Sequence, residues 1–137
     1  MNLFVAHTPY HIILSLTLVS TIFERDNNIL IICRDFELKN FNIELLEQFF
    51  DLVYVLEGSF DISKNDLISK VKRVRQYKTN IDFIIRIIAE YKIKLLFIFN
   101  DTIPVEKKVL ETVKKNNFDS DIKVVYVEDG FGAYVSH

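Results

Sequence analysis

A single cysteine, Cys33, stands in this chain of 137 residues, which excludes an intrachain disulfide and any zinc site built on cysteines. It lies inside Ile29-Leu30-Ile31-Ile32-Cys33, where a thiol is expected to be a buried, inert apolar group rather than a nucleophile. Histidine is scarce too. His7, His11 and His137 form no metal-ligand pattern, because the carboxylate that completes a zinc motif around an i, i+4 pair is missing. Positive charge is not in excess: 17 basic residues against 19 acidic ones leave a net charge of −2, so there is no overall electrostatic footprint for nucleic acid. With only three glycines, two prolines and half its residues apolar, the chain is not disordered or of low complexity. Nucleotide-phosphate loops are absent as well. The first strand-to-helix turn lacks Gly-x-Gly-x-x-Gly, and no Gly-Lys-Ser/Thr loop occurs anywhere. The apolar stretch 2–23 is interrupted by His7-Thr8-Pro9-Tyr10-His11 and preceded by no basic residue, so neither a signal peptide nor a membrane span is expected. A single domain over residues 1–137, reduced, cytoplasmic and metal-free, is the expectation.

What is present is an alternation of two periodicities. Short apolar runs at Asn2 to Ala6, residues 28–33, Leu52 to Leu56, Leu95 to Phe99 and Ile122 to Val127 read as strands, and the continuous Ile and Leu of 28–33 mark that one as covered on both faces. Between them, helices are expected from Pro9 to about Glu24, over Asn40 to Phe50, over 64–91 as one helix or two broken near Thr79-Asn80, and from Pro104 to about Asn116. Thr8-Pro9 supplies a cap and a first-turn proline for the first of these. Strand and helix in strict alternation predict an α/β, Rossmann-like open parallel five-stranded sheet with helices on both faces. If the strands take the order 3-2-1-4-5, the crevice opens between strands one and four.

Three loops then meet at one edge: His7 to His11, Asn100-Asp101-Thr102, and Glu128-Asp129-Gly130-Phe131-Gly132. Their carboxylates, imidazoles, amides and hydroxyls suit hydrogen bonding to a polyhydroxylated ligand. Asp129, at a strand end, is placed to take a proton from a sugar hydroxyl as general base; equally, Glu128 and Asp129 can solvate the loop or cap the next turn. His7 and His11 flank a helix N-terminus that favours an anionic group, or they pack inward and satisfy the loop. Asn100, Asp101 and Thr102 are residue types that helix capping alone explains. Lys64, Lys70, Lys72, Arg73, Arg75 and Lys78 make the third helix basic, either as a solvated face or as a contact with anionic lipid or lipopolysaccharide headgroups.

The opening Asn2-Leu3-Phe4-Val5-Ala6-His7-Thr8-Pro9-Tyr10-His11 resembles the strand and Thr-Pro helix start of bacterial lipooligosaccharide sialyltransferases, glycosyltransferase family 52. Tyr126-Val127-Glu128-Asp129-Gly130 followed by Tyr134 is similar to their acidic Asp-Gly motif. The resemblance implies a two-domain GT-B enzyme that uses neither metal nor cofactor and takes its sugar from CMP-sialic acid. It implies Asp129 as the base, with Thr8, Pro9, Tyr10, His11, Asn100, Asp101, Glu128 and Gly130 bordering or supporting the acceptor. That acceptor would be a glycan of lipooligosaccharide or capsular type, met in the cytoplasm or peripherally at the inner membrane. The family's His-Pro pair, which assists the leaving phosphate, does not occur in this sequence. The chain is therefore expected to be the N-terminal, acceptor-side half, inactive alone and prone to homodimerise through an uncovered apolar rim. The alternative is a non-catalytic Rossmann-like module that binds a carbohydrate or a protein at the same edge. No nucleic-acid partner is expected.

Overall fold

The computed structural model describes residues 1–39, 41–59, 66–99, 103–116 and 122–127. Nine elements follow in chain order: β1 (Asn2–Ala6), α1 (Pro9–Thr21), β2 (Asn28–Arg34), α2 (Ile43–Leu46), β3 (Leu52–Glu57), α3 (Leu67–Glu90), β4 (Leu95–Ile98), α4 (Pro104–Asn116) and β5 (Lys123–Tyr126). All strand pairs are parallel, and the sheet order is β3-β2-β1-β4-β5. This is the open α/β, Rossmann-like sheet that the alternation of periods predicts.

The alternating side chains of the central strands divide the core into two layers. Phe4, Ala6, Leu30, Ile32, Phe97 and Phe99 face α1 and α2, meeting Ile12, Val19, Leu46 and Phe50. Stacked rings of Phe4 and Phe97, 4.2 Å apart, sit at the middle of that layer. On the opposite face Leu3, Val5, Ile29, Ile31, Leu96 and Ile98 meet Ile84, Ile87 and Ile88 of α3 and Val105, Val109 and Val113 of α4. Cys33 is buried in this second layer.

Several element boundaries differ from the sequence expectation, each for a local reason. α1 ends at Thr21 rather than Glu24: the amides of Ile22 and Phe23 both bond to Leu18 O, turning Phe23 inward to lie 5.2 Å from Phe97. α2 is a four-residue helix, not an eleven-residue one. Among the described residues of this segment only Leu46 and Phe50 are fully buried, with Phe41 and Ile43 packed partly against the core, and a hydrogen bond from the Gln48 amide to Leu45 O tightens the chain into turns before Phe50. α3 runs unbroken through Thr79-Asn80. Asn80 does not compete for the helix backbone because its side chain is engaged elsewhere, donating to Glu57 O at 2.8 Å and accepting from Gln76 at 2.9 Å. Asp66 caps α3 by accepting from the Ser69 amide at 2.8 Å; Lys64 lies outside the described residues.

α3 stops where Tyr91 leaves helical geometry and Lys92 enters the left-handed region at φ 51°. A side chain there is strained, and glycine at that position is not. Lys92→Gly is expected to stabilise the fold by about 1 kcal/mol, read as a raised denaturant midpoint at unchanged slope.

Candidate functional site

All strands being parallel, the carboxyl ends of β1, β4 and β5 lie on one edge, and the sheet order reverses direction between β1 and β4. Thr8 caps α1 there, its hydroxyl accepting the His11 amide at 3.2 Å, with Pro9 in the first turn. Pro9 and Tyr10 are exposed, and Tyr10 presents about half its surface to solvent. His11 turns inward instead. Its ring is fully buried and stacks on Phe99 at 4.7 Å, while its Nδ1 accepts the His7 amide at 3.0 Å, which fixes the neutral tautomer with the proton on Nε2. His11 thus supports the loop from within, and the exposed face of the loop belongs to Thr8, Pro9 and Tyr10. Asn100, Asp101, Thr102, Glu128, Asp129 and Gly130 lie outside the described residues. The described chain reaches Val127, whose amide donates to Ile98 O at 2.9 Å at the carboxyl end of β4.

Beneath that loop is a cluster of charges. His7, 2 % exposed, follows β1 directly, and its Nδ1 donates to Asp35 Oδ2 at 2.9 Å just beyond β2. On the other side its Nε2 faces Glu106 Oε1 of α4 at 3.5 Å, an ion pair sealed from solvent. The other Asp35 oxygen accepts from the Ser59 amide at 2.8 Å and from the Ser59 hydroxyl at 3.0 Å. Gly58 makes this possible: a Cβ there would overlap the Arg34 backbone carbonyl and the Asp35 carboxylate. Glu106 stands in the first turn of α4, where the helix dipole favours a negative charge.

Burial pulls the His7 pKa down, but the adjacent Cys33 sulfur, the hydrogen bond to Asp35 and the Glu106 carboxylate outweigh it, raising it from 6.5 to about 10. Burial pushes Asp35 up, yet its bonds with His7 and Ser59 hold it below the usual 3.8. At neutral pH His7 is therefore held as an imidazolium, bonded to Asp35 on one side and facing the Glu106 carboxyl group on the other. Both ring nitrogens are turned to carboxylates, which leaves no lone pair for a cation, and no metal-binding group of three or more His, Cys, Asp or Glu residues occurs among the described residues.

Sequence reasoning found His7 but not Asp35, Ser59 or Glu106. A signal for Glu106 existed: it shares the α4 face of Val109, Leu110 and Val113, an acid on an otherwise apolar stripe. Nothing local marks Asp35, 28 residues from His7, because only the parallel register of β1 and β2 brings the two together. No protein-family model and no curated protein matches this chain.

Removing one member of a buried ion cluster leaves its partners uncompensated, so His7→Asn is expected to cost about 3–5 kcal/mol near pH 6 in urea denaturation. Because the folded imidazole keeps its proton up to about pH 10 and an unfolded one releases it near 6.5, this stabilisation is complete below about pH 6.5 and is lost as the pH climbs toward 10. Asp35 acts in the opposite sense, stabilising above about pH 3.8 and ceasing to do so as the pH falls. The margin of wild type over His7→Asn should shrink between about pH 6.5 and 10. Gly58→Ala is expected to cost about 1–3 kcal/mol through overlap with the β2 end, and protection of the Ser59 amide from hydrogen exchange should fall with it.

Proposed function

We propose that this chain forms the acceptor side of a sialyltransferase-like glycosyltransferase of GT-B architecture, working in the cytoplasm at or near the inner membrane. The observation that carries the proposal is the reversal of strand order between β1 and β4. It marks a crevice beside the carboxyl ends of β1 and β4, the kind of place where ligands of open parallel sheets bind, with the end of β5 on the same edge. In support, the half-buried Thr8 and the exposed Pro9 and Tyr10 stand at this edge, and the bond from Val127 to Ile98 holds the residue before Glu128-Asp129-Gly130 against the end of β4.

In the proposed reaction the Asp129 carboxylate takes the proton of an acceptor hydroxyl as that oxygen attacks the anomeric carbon of the sialyl group. A carbon–oxygen bond forms on the face opposite the departing CMP, whose phosphate leaves with the electron pair, so the configuration inverts. Tyr10 and the Thr8 loop would contact the glycan, which is of lipooligosaccharide or capsular type. His7, His11, Asp35 and Glu106 hold that loop in place from below and touch no substrate. The donor would be held by a second domain in such an enzyme, and no metal or cofactor takes part.

Asp129→Asn in the complete enzyme, assayed with CMP-sialic acid and a galactosyl acceptor, is expected to lower kcat by about 10²- to 10⁴-fold at nearly unchanged KM. Activity that survives the change removes Asp129 from the mechanism. Should the wild-type protein bind the glycan yet transfer nothing even with the donor domain supplied, the edge is a carbohydrate-binding module and the transferase proposal fails.

A further inference from the structure

α3 is long for the sheet that it packs on. Its 24 residues span about 36 Å, whereas β3, the outer strand beside it, has six residues and spans about 20 Å. Buried positions concentrate in its second half, at Asn80, Ile84, Ile87 and Ile88; in the first half only Ser69 is buried. The first three turns therefore stand largely in solvent, and their side chains are not those of an ordinary solvated helix. Leu67, Ile68, Val71 and Val74 are exposed by 76, 68, 45 and 67 %. At 100° per residue, Leu67, Val71 and Val74 fall on one stripe, with Ile68 at its margin. The stripe runs on into a groove of about 500 Å³ between α3 and α4, lined by Val74, Tyr77, Ile81 and Ile85 and by the charged Lys78, Asp82 and Lys108.

Cations flank and interrupt this apolar stripe: Lys70 and Arg75 lie on its two sides, Lys72 beyond Arg75, and Lys78 within it. Lys70, Lys72, Arg75 and Lys78 are exposed, and no acidic residue occurs between Leu67 and Ile81. The local charge is thus strongly positive in a chain whose net charge is −2. An exposed apolar face rimmed by lysine and arginine is the pattern of a helix that lies in a lipid interface, with its aliphatic side chains below anionic headgroups and its cations among them. A second copy of the chain is a poor occupant, since a two-fold contact through this face would set one row of cations against its equal. Nucleic acid matches the charge and not the aliphatic side chains, which would lose nothing by being polar in a phosphate-binding groove.

We propose that the first half of α3 is a docking surface for an anionic lipid bilayer, with Leu67, Ile68, Val71 and Val74 inserting among the headgroups and Lys70, Lys72, Arg75 and Lys78 contacting their phosphates. The surface does not depend on the transferase activity, and it would bring the carboxyl edge of the sheet to membrane-borne acceptors.

Flotation of the full chain with vesicles of phosphatidylcholine containing roughly one-third phosphatidylglycerol tests this, with phosphatidylcholine alone as the control. The chain is expected to float with the anionic vesicles only and to be released by salt of about 0.5 M. Replacing both Val71 and Val74 by Asp should reduce partitioning at least about ten-fold, and Lys70→Gln, Lys72→Gln and Arg75→Gln should each reduce it about five-fold. All these positions are exposed, so the circular dichroism of each variant should match wild type; if the aspartate variant loses helix, the glutamine series decides alone. Equal binding to neutral vesicles, or partitioning indifferent to the glutamine series, overturns the proposal. So does a dimer in sedimentation that dissociates on Val71→Asp, or tighter binding of a DNA or RNA oligonucleotide than of the anionic vesicles. As the vesicles carry no glycan, the outcome is separate from that of the transfer assay.

Discussion

A strand whose successive side chains are all apolar has no face to give to water, and β1 and β2 are both of this kind. From Leu3 to Ala6 and from Ile29 to Cys33 every residue is at most 1 % exposed. Such strands must be covered on both sides, and their backbones must be paired on both edges. β3 and β4 supply the outer pairing; α1 and α2 cover one face while α3 and α4 cover the other. With every strand parallel, each connection has to cross back over a face of the sheet, and that is where the helices lie. The two layers, the strand order and the direction of the loops all follow from keeping these two strands dry.

At the carboxyl edge the same burial creates a difficulty that the cluster at His7 resolves. The chain leaves β1 still inside the protein, and the first residue past the strand is a histidine rather than another aliphatic one. A buried imidazole is tolerated only with its nitrogens satisfied, and a buried imidazolium only with charges of opposite sign close by. Asp35 satisfies Nδ1, the carboxyl groups of Asp35 and Glu106 stand on the two sides of the ring, the latter 3.5 Å from Nε2 without a hydrogen bond, and Ser59 satisfies the remaining oxygen of Asp35. One ring thereby joins the ends of β1 and β2, the turn after β3 and the start of α4. The result is a rigid floor under Thr8, Pro9 and Tyr10, which is what a loop needs if it is to present hydroxyl and aromatic groups to a ligand in fixed positions.

At its far end α3 has the opposite character. Where the edge strand stops, the helix continues with aliphatic and cationic side chains that no other described element covers. A helix of this composition gains nothing from solvent and something from an interface. In the proposed arrangement, the Thr8 loop at the strand ends and the amphipathic turns at the start of α3 would together serve a ligand that is itself held at a surface.

The five strands, the alternation with helices, the sheet order and the capping of α1 by Thr8 were legible in the sequence, because each depends on residues close in the chain or on the few topologies open to alternating elements. Long apolar runs such as Ile29 to Cys33 allow almost no other reading. Less of the site was legible. Thr8, Pro9 and Tyr10 were identifiable from local types, and so was His7 as a residue of the loop, but its partners were not. Asp35, Ser59 and Glu106 lie on three other segments, and what makes them a site is the parallel register that sets the end of β1 beside the end of β2, together with the packing of α4 on that face. Helix ends at Thr21 and Leu46 were likewise decided by where Phe23 and Phe50 could be buried. Local propensity and hydrophobic period thus determined the elements. Only tertiary packing decided which distant charges would share one dry space, since the free energy of a buried charge depends on its neighbours in three dimensions and not on its neighbours in the chain.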